Sequence, residues 1–162
     1  MAFESKNIGT EAAFRKAKHY CAYQERNHAE VKKKLYGFGL YKQEVEEMIS
    51  KLIDENYLNE ERYAMAYAGG KFRVNKWGKN KIMYEMKQKQ ISAYCIKKAL
   101  AAITDEDYEK CLQKLASNKL TLLKDEKNMF AKKQKLQNYL VSKGYEFDWV
   151  GRVVKYLVES IE

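Results

Sequence analysis

The apolar positions of this sequence recur three times along the chain, and this recurrence limits the possible folds more than any other feature. The first copy has Val31, Leu35, Leu40, Val45, Ile49 and Leu52, the second has Ile82, Met86, Ile91, Ile96, Leu100 and Ile103, and the third has Leu136, Leu140, Tyr145, Val150, Val154 and Leu157. Spacings of three and four residues place each set on one face of a helix. The sequence contains no proline, which also favours helices. We therefore expect an all-α fold of three tandem three-helix repeats that form an elongated, curved array.

The connections within the copies give the expected domain organisation. Gly39 and Gly144 occupy equivalent positions after a helix, and Gln90 takes that place in the second copy. We expect a flexible N-terminus over residues 1–10, followed by repeats at 11–56, 57–103 and 104–162. In the second repeat, Asn59 is expected to cap a helix whose inner face carries Tyr63, Ala66 and Tyr67. A basic joint from Lys71 to Trp77 is expected to follow that helix.

Positive charge is concentrated in the middle of the chain. The formal charge is +1 over residues 1–56, +7 over residues 57–104 and +1 over residues 105–162. Clustered charge of one sign repels itself, so this distribution predicts a cationic surface for an anionic partner, and the alternative is a solvated helix face. Trp77 is as well suited to a core position as to a binding contact. The candidate binding residues are Lys71, Arg73, Lys76, Trp77, Lys79, Lys81, Lys87, Lys89, Lys97 and Lys98.

Nothing in the sequence indicates catalysis. The only two histidines, His19 and His28, lie outside the basic segment, and no phosphate-binding loop, dinucleotide fingerprint, HExxH or GxSxG motif is present. The three cysteines are widely spaced, so we expect neither a disulfide framework nor a metal site. We expect a monomeric protein without enzyme activity or cofactor. The absence of a long apolar run predicts a cytoplasmic protein with no membrane contact.

The segment from Tyr57 to Ile91 resembles the signature of the RecX family, the bacterial regulators of the RecA recombinase. The matching elements are Tyr57-Leu58-Asn59-Glu60, Arg62-Tyr63-Ala64 with Ala66-Tyr67, Lys71-Phe72-Arg73, Lys76-Trp77-Gly78, and Ile82 with Glu85-Met86 and Lys89-Gln90-Ile91. The sequence departs from the family pattern at Met86, where leucine is usual, and at Gln90, where glycine is usual. The family pattern also usually has an acid pair near Asn59 and Glu60.

This resemblance implies a three-repeat fold and a regulatory, mainly inhibitory, function. It implies a protein that lies in the groove of the RecA filament on single-stranded DNA. There it would limit filament extension, ATP hydrolysis and strand exchange, and so modulate DNA repair, recombination and the SOS response.

Two other functions fit the same residues. The chain could be a stand-alone helical DNA-binding module whose short helix-joint-helix units read duplex DNA, or a helical-repeat adaptor for an acidic protein. For a regulator of the RecA filament, weak binding of duplex DNA is a further expectation. Lysine and arginine contact DNA phosphates and protein carboxylates equally well, so the residue types leave the anionic partner open.

Overall fold

The structure is a computed structural model that describes residues 6–160, and these residues form nine α-helices and no strand. The helices are α1 (Thr10–Tyr23), α2 (His28–Gly37), α3 (Lys42–Asp54), α4 (Glu60–Asn75), α5 (Lys79–Gln88), α6 (Ala93–Ala101), α7 (Asp105–Leu122), α8 (Met129–Ser142) and α9 (Phe147–Glu159). The prediction of an all-α repeat fold is confirmed. Residues 1–5 of the expected flexible N-terminus lie outside the described residues, and Thr10 already belongs to α1. The exact repeat boundaries stay predictions.

The chain divides into two compact units between Ala66 and Tyr67, a point inside α4. In the first unit, helices α1, α2 and α3 pack against one another around a core that includes Ala17, Leu35 and Leu52. In the second unit, α7, α8 and α9 each pack against the other two, and α5 packs against α6. No helix within residues 6–160 is both long enough and apolar enough to cross a membrane.

The repeated apolar positions form the cores of both units. All of them are buried except Leu100 and Leu157, which are half-buried. The repeat also holds at the backbone level, because the three equivalent turn residues share a left-handed conformation. The φ angles are 83° at Gly39, 60° at Gln90 and 101° at Gly144. Each turn also donates a hydrogen bond from this residue's N–H to the carbonyl three residues earlier, at 2.9, 3.0 and 2.9 Å respectively. Equivalent sequence positions therefore end equivalent helices in the same way.

Tyr63 links the start of α4 to the start of α2 within the first unit. Its side chain is buried, and its hydroxyl lies 3.5 Å from the side-chain nitrogen of Asn27 and 3.4 Å from a carboxylate oxygen of Glu30. Asn27 is itself the N-cap of α2, since its side-chain oxygen accepts the Glu30 N–H at 2.7 Å. The first helix of the second repeat is thus fixed to the second helix of the first repeat by a polar contact.

The structure differs from the sequence prediction along α4. Asn59 caps the helix as expected, by accepting the Arg62 N–H at 2.9 Å. The expected joint from Lys71 is wrong, because the helix continues to Asn75 and the connection comprises only residues 76–78. The buried face is also displaced from the predicted one. Ala64, Ala68 and Phe72 are buried in addition to Tyr63, Ala66 is exposed and Tyr67 is half-buried.

We expect Gln90→Gly to stabilise the protein. A left-handed conformation costs a non-glycine residue about 1–2 kcal/mol, and the extra freedom of glycine in the unfolded chain offsets part of that gain. The net increase in the free energy of unfolding should be about 0.5–1 kcal/mol by urea denaturation. Gln88→Gly is the matched control, because Gln88 is an exposed helical residue of α5 and its replacement should lower stability. Equal destabilisation by both variants would contradict this account of the turn.

Candidate functional site

Two glycines allow the turn between α4 and α5 to contact the turn between α8 and α9. The Gly78 N–H donates to the carbonyl of Lys143 at 2.8 Å, and the Asn80 N–H donates to the carbonyl of Gly144 at 2.9 Å. A Cβ on Gly78 would lie 2.3 Å from the carbonyl carbon of Gly144, and a Cβ on Gly144 would lie 2.3 Å from the Cβ of Lys81. We call this contact the Gly78–Gly144 junction. It fixes the position of the second repeat's basic segment within the second unit.

Two buried tyrosines bind the backbone on either side of Gly78. The Tyr145 hydroxyl donates to the carbonyl of Lys76 at 3.0 Å. The Tyr108 hydroxyl accepts the Lys79 N–H at 2.9 Å and donates to the carboxylate of Glu146. Burial is the main cause that raises the pKa of both phenols far above the ordinary value, followed by the hydrogen bond to Glu146 for Tyr108 and the contact with Cys111 for Tyr145. Both hydroxyls therefore stay neutral and keep their protons for these bonds.

Three lysines surround two aromatic rings next to the junction. The ammonium groups of Lys71 and Lys81 lie 5.0 and 4.6 Å from the centroid of the Trp77 ring. The ammonium groups of Lys71 and Lys89 each lie 5.6 Å from the centroid of the Tyr67 ring. Cations are attracted to the faces of such rings at these distances. We call these five residues the Trp77 cation cluster.

The Trp77 cation cluster holds like charges close together. Because Lys71 and Lys81 share one indole ring, their charges are within about 10 Å of each other, which is comparable to the Debye length of about 8 Å at physiological salt. Their repulsion is therefore only partly screened. Glu85 is the nearby carboxylate, and after burial its charge is the second cause of the raised pKa of Tyr67. An anionic ligand would relieve the remaining repulsion and gain contacts with both cations and rings.

Three other predicted binding residues, Lys79, Lys76 and Arg73, make contacts outside the Trp77 cation cluster. Lys79 belongs to the junction, because its ammonium lies 5.0 Å from the Tyr108 ring centroid and 3.4 Å from the carbonyl of Ile103. Lys76 donates from its ammonium to the carbonyl of Arg73 at 2.7 Å, near the end of α4. The Arg73 guanidinium folds over Gly69 on the same helix.

The remaining predicted cations are exposed on α5 and α6. Lys87 and Lys97 are exposed, and the exposed Lys98 has its ammonium 5.4 Å from the ring centroid of Tyr94. The structure therefore brings Lys71, Lys81 and Lys89 together with Trp77. It does not join Lys98 to that group by any of these ring contacts.

Tyr67 is the member of the Trp77 cation cluster that sequence reasoning missed. The sequence pattern predicted that both Tyr63 and Tyr67 belong to the core. Tyr63 is buried, but the Tyr67 ring is only half-buried. The available signal was the spacing of four residues to Lys71, which places the two side chains on one face of a helix. The four-residue spacing was not recognised because Lys71 was expected to lie in a joint, where helical spacing does not apply.

The fold and this site define a class: tandem three-helix repeat proteins with a cation–aromatic cluster on the second repeat. Two family models match the chain, "RecX, second three-helix domain" over residues 59–100 and "RecX, third three-helix domain" over residues 105–154. Together they cover more than half of the sequence. The chain belongs to the RecX family.

Individual relatives agree with this assignment. The chain is 33% identical over 132 residues to a regulatory protein RecX of Clostridium perfringens, a match that covers 81% of this chain and 61% of the relative. It is 31% identical over 146 residues to a regulatory protein RecX of Bacillus velezensis, covering 88% of this chain and 54% of the relative. A crystal structure of RecX from Lactobacillus salivarius superimposes with a TM-score of 0.82 at 26% identity, covering 91% of this chain and 96% of that one. The chain thus spans little more than half the length of these two curated relatives.

We expect Gly78→Ala to destabilise the second unit by about 3 kcal/mol, because the added methyl meets backbone atoms that have no room to move. Gly70→Ala is the matched control, since a Cβ there meets nothing within 4 Å and Gly70 lies inside α4. The control should be neutral or stabilise the helix by up to about 1 kcal/mol. Thermal and urea unfolding measure both effects. A Gly78→Ala protein as stable as Gly70→Ala would show that the junction is not tightly packed.

Proposed function

We propose that this protein regulates a RecA recombinase by binding in the groove of its filament on single-stranded DNA. Bound there, it limits filament extension, ATP hydrolysis and strand exchange, and so modulates DNA repair and recombination. Binding alone suffices for this effect, since a bound molecule blocks movement of the protomers that it touches. The protein acts as a monomer in the cytoplasm, without enzyme activity or cofactor.

Two observations support the proposal. The chain belongs to a family whose curated members are named regulatory proteins. The second observation, which carries the proposal, is the Trp77 cation cluster, where repelling cations are held next to aromatic faces. A recombinase filament offers both kinds of anion that such a cluster binds, namely DNA phosphates and protein carboxylates.

The test reverses charge at the cluster and leaves the junction intact. Lys71→Glu, Lys81→Glu and Lys89→Glu are combined, and Lys79 is left unchanged because it contacts buried Tyr108. The matched control combines Lys124→Glu, Lys127→Glu and Lys133→Glu, which are exposed residues of the same unit. With the cognate RecA on single-stranded DNA, the concentration for half-inhibition of ATP hydrolysis should rise by about tenfold or more for the cluster variant. This follows if each lost contact contributes about 0.5–1 kcal/mol, and the control should change little.

The same assay separates the alternatives. A wild-type protein that binds DNA but never inhibits the recombinase would be a stand-alone DNA-binding module. A protein that inhibits equally well with either triple variant would have its regulatory surface elsewhere. Circular dichroism of each variant checks that a loss of inhibition does not come from loss of the helical fold.

A further inference from the structure

The first unit contains a groove between α1 and α2 whose lining is cationic. The groove has a volume of about 660 Å³, and Arg15, Lys16, Arg26 and Lys34 line it together with His19. Within residues 6–160, no carboxylate lines this groove and none of these four cations forms an ion pair. The net charge of +1 for residues 1–56 hides this local excess, because the carboxylates among the described residues of the segment do not line this groove. Glu25, for example, pairs with Arg62 at 2.5 Å.

Aromatic rings alternate with the cations along the groove. The Arg26 guanidinium carbon lies 3.8 Å from the ring centroid of Tyr20, and the Arg26 Nε donates to the backbone carbonyl of Tyr20 at 3.1 Å. The Lys34 ammonium lies 5.2 Å from the Tyr20 centroid and 5.8 Å from the Phe38 centroid. Tyr23 also lines the groove, and 79% of its surface is exposed. The groove therefore offers both positive charge and an accessible aromatic face.

The depression continues past this groove. A second depression of about 490 Å³ shares Tyr20, Lys34 and Phe38 with the first and is also lined by Lys33 and Glu30. Because the two depressions share lining residues, they form one continuous track, and such a track fits a linear polyanion better than a compact ion. Alternating cations and aromatic rings match the phosphates and unstacked bases of a single strand, whereas the bases of a duplex are stacked inside and unavailable to rings.

We propose that the groove between α1 and α2 binds a segment of single-stranded nucleic acid, with phosphates on Arg15, Lys16 and Lys34 and a base stacked on Tyr23. Arg26 is held by Tyr20 and presents its remaining N–H groups to the backbone of the strand. The site uses residues of the first unit alone. It does not depend on recombinase binding or on the Trp77 cation cluster.

The charge test uses the full chain carrying Lys71→Glu, Lys81→Glu and Lys89→Glu, so that the Trp77 cation cluster does not contribute. The groove variant adds Arg15→Glu, Lys16→Glu and Lys34→Glu. Its control adds Lys32→Glu, Lys42→Glu and Lys51→Glu, three exposed residues of the same unit that do not line the groove. Binding of a fluorescent oligodeoxythymidylate of about 15 nucleotides, a length within reach of such grooves, is measured by anisotropy over a range of salt.

The groove variant should bind at least about tenfold more weakly, and its log–log salt slope should fall by about two, as expected for three lost phosphate contacts. The control should stay within about twofold of its parent, since its charge change is the same but lies elsewhere. Equal losses in the groove and control variants would overturn the proposal, because they would reflect net charge alone. The assay contains no recombinase, so its outcome is independent of the test of inhibition.

A second pair of variants tests the stacked base. Tyr23→Ala removes an exposed ring from the groove, and Tyr41→Ala removes a ring of similar exposure, 74%, that does not line it. Tyr23→Ala should weaken binding to oligodeoxythymidylate by about fivefold or more and leave binding to an abasic strand unchanged. Tyr41→Ala should affect neither. The assignment would be overturned if the protein with Tyr23 intact bound the abasic strand as tightly as oligodeoxythymidylate, or bound a polyglutamate of the same charge more tightly. Either result would indicate a general anion surface.

Discussion

The backbone contact between Gly78 and Gly144 is the constraint on which the second unit depends. Each of the two turns places its peptide groups where a side chain of the other would otherwise stand, so the repeats approach more closely than ordinary side-chain packing allows. The Tyr108 hydroxyl, which accepts the Lys79 N–H, and the Tyr145 hydroxyl, which donates to the Lys76 carbonyl, then hold the segment around Gly78 from both sides. Trp77 lies inside this fixed segment. The indole ring and its lysines thus have a rigid support, although lysine side chains alone would be mobile.

Much of the fold was predictable because helical periodicity and turn chemistry are local properties. The recurrence of apolar residues predicted the buried positions, and the alignment of Gln90 with Gly39 and Gly144 matched a shared left-handed turn. The end of α4 was not predictable from charge. The cluster of positive charge suggested a joint at Lys71 and Arg73, but lysine and arginine are good helix formers, and here they continue the helix. The role of Lys79 was hidden for another reason. Its partners Ile103 and Tyr108 are distant in sequence, and no local pattern reports such a contact.

Charge summed over a long segment indicates some local charge clusters and misses others. A count over a third of the chain drew attention to the segment that contains the Trp77 cation cluster, because few carboxylates occur there. The same count gave no signal for the groove between α1 and α2. There, carboxylates that do not line the groove balance the sum, and one of them, Glu25, forms an ion pair with Arg62. Electrostatic function depends on distances of a few ångströms, which a sum over the sequence does not contain.

Tyr63 and Tyr108 show how successive repeats recognise each other. They occur 45 residues apart, each near the start of the first helix of its repeat, and each hydroxyl meets the beginning of the second helix of the repeat before it. This rule refers only to nearest neighbours and carries no information about how many repeats follow. An engineered or duplicated three-helix unit with tyrosine at the same helix position would meet an N–H donor at the start of the second helix of the preceding repeat, which is a side-chain amide for Tyr63 and a backbone N–H for Tyr108. Insertion of whole units is therefore compatible with one tyrosine position, whose hydroxyl can accept either a side-chain or a backbone N–H.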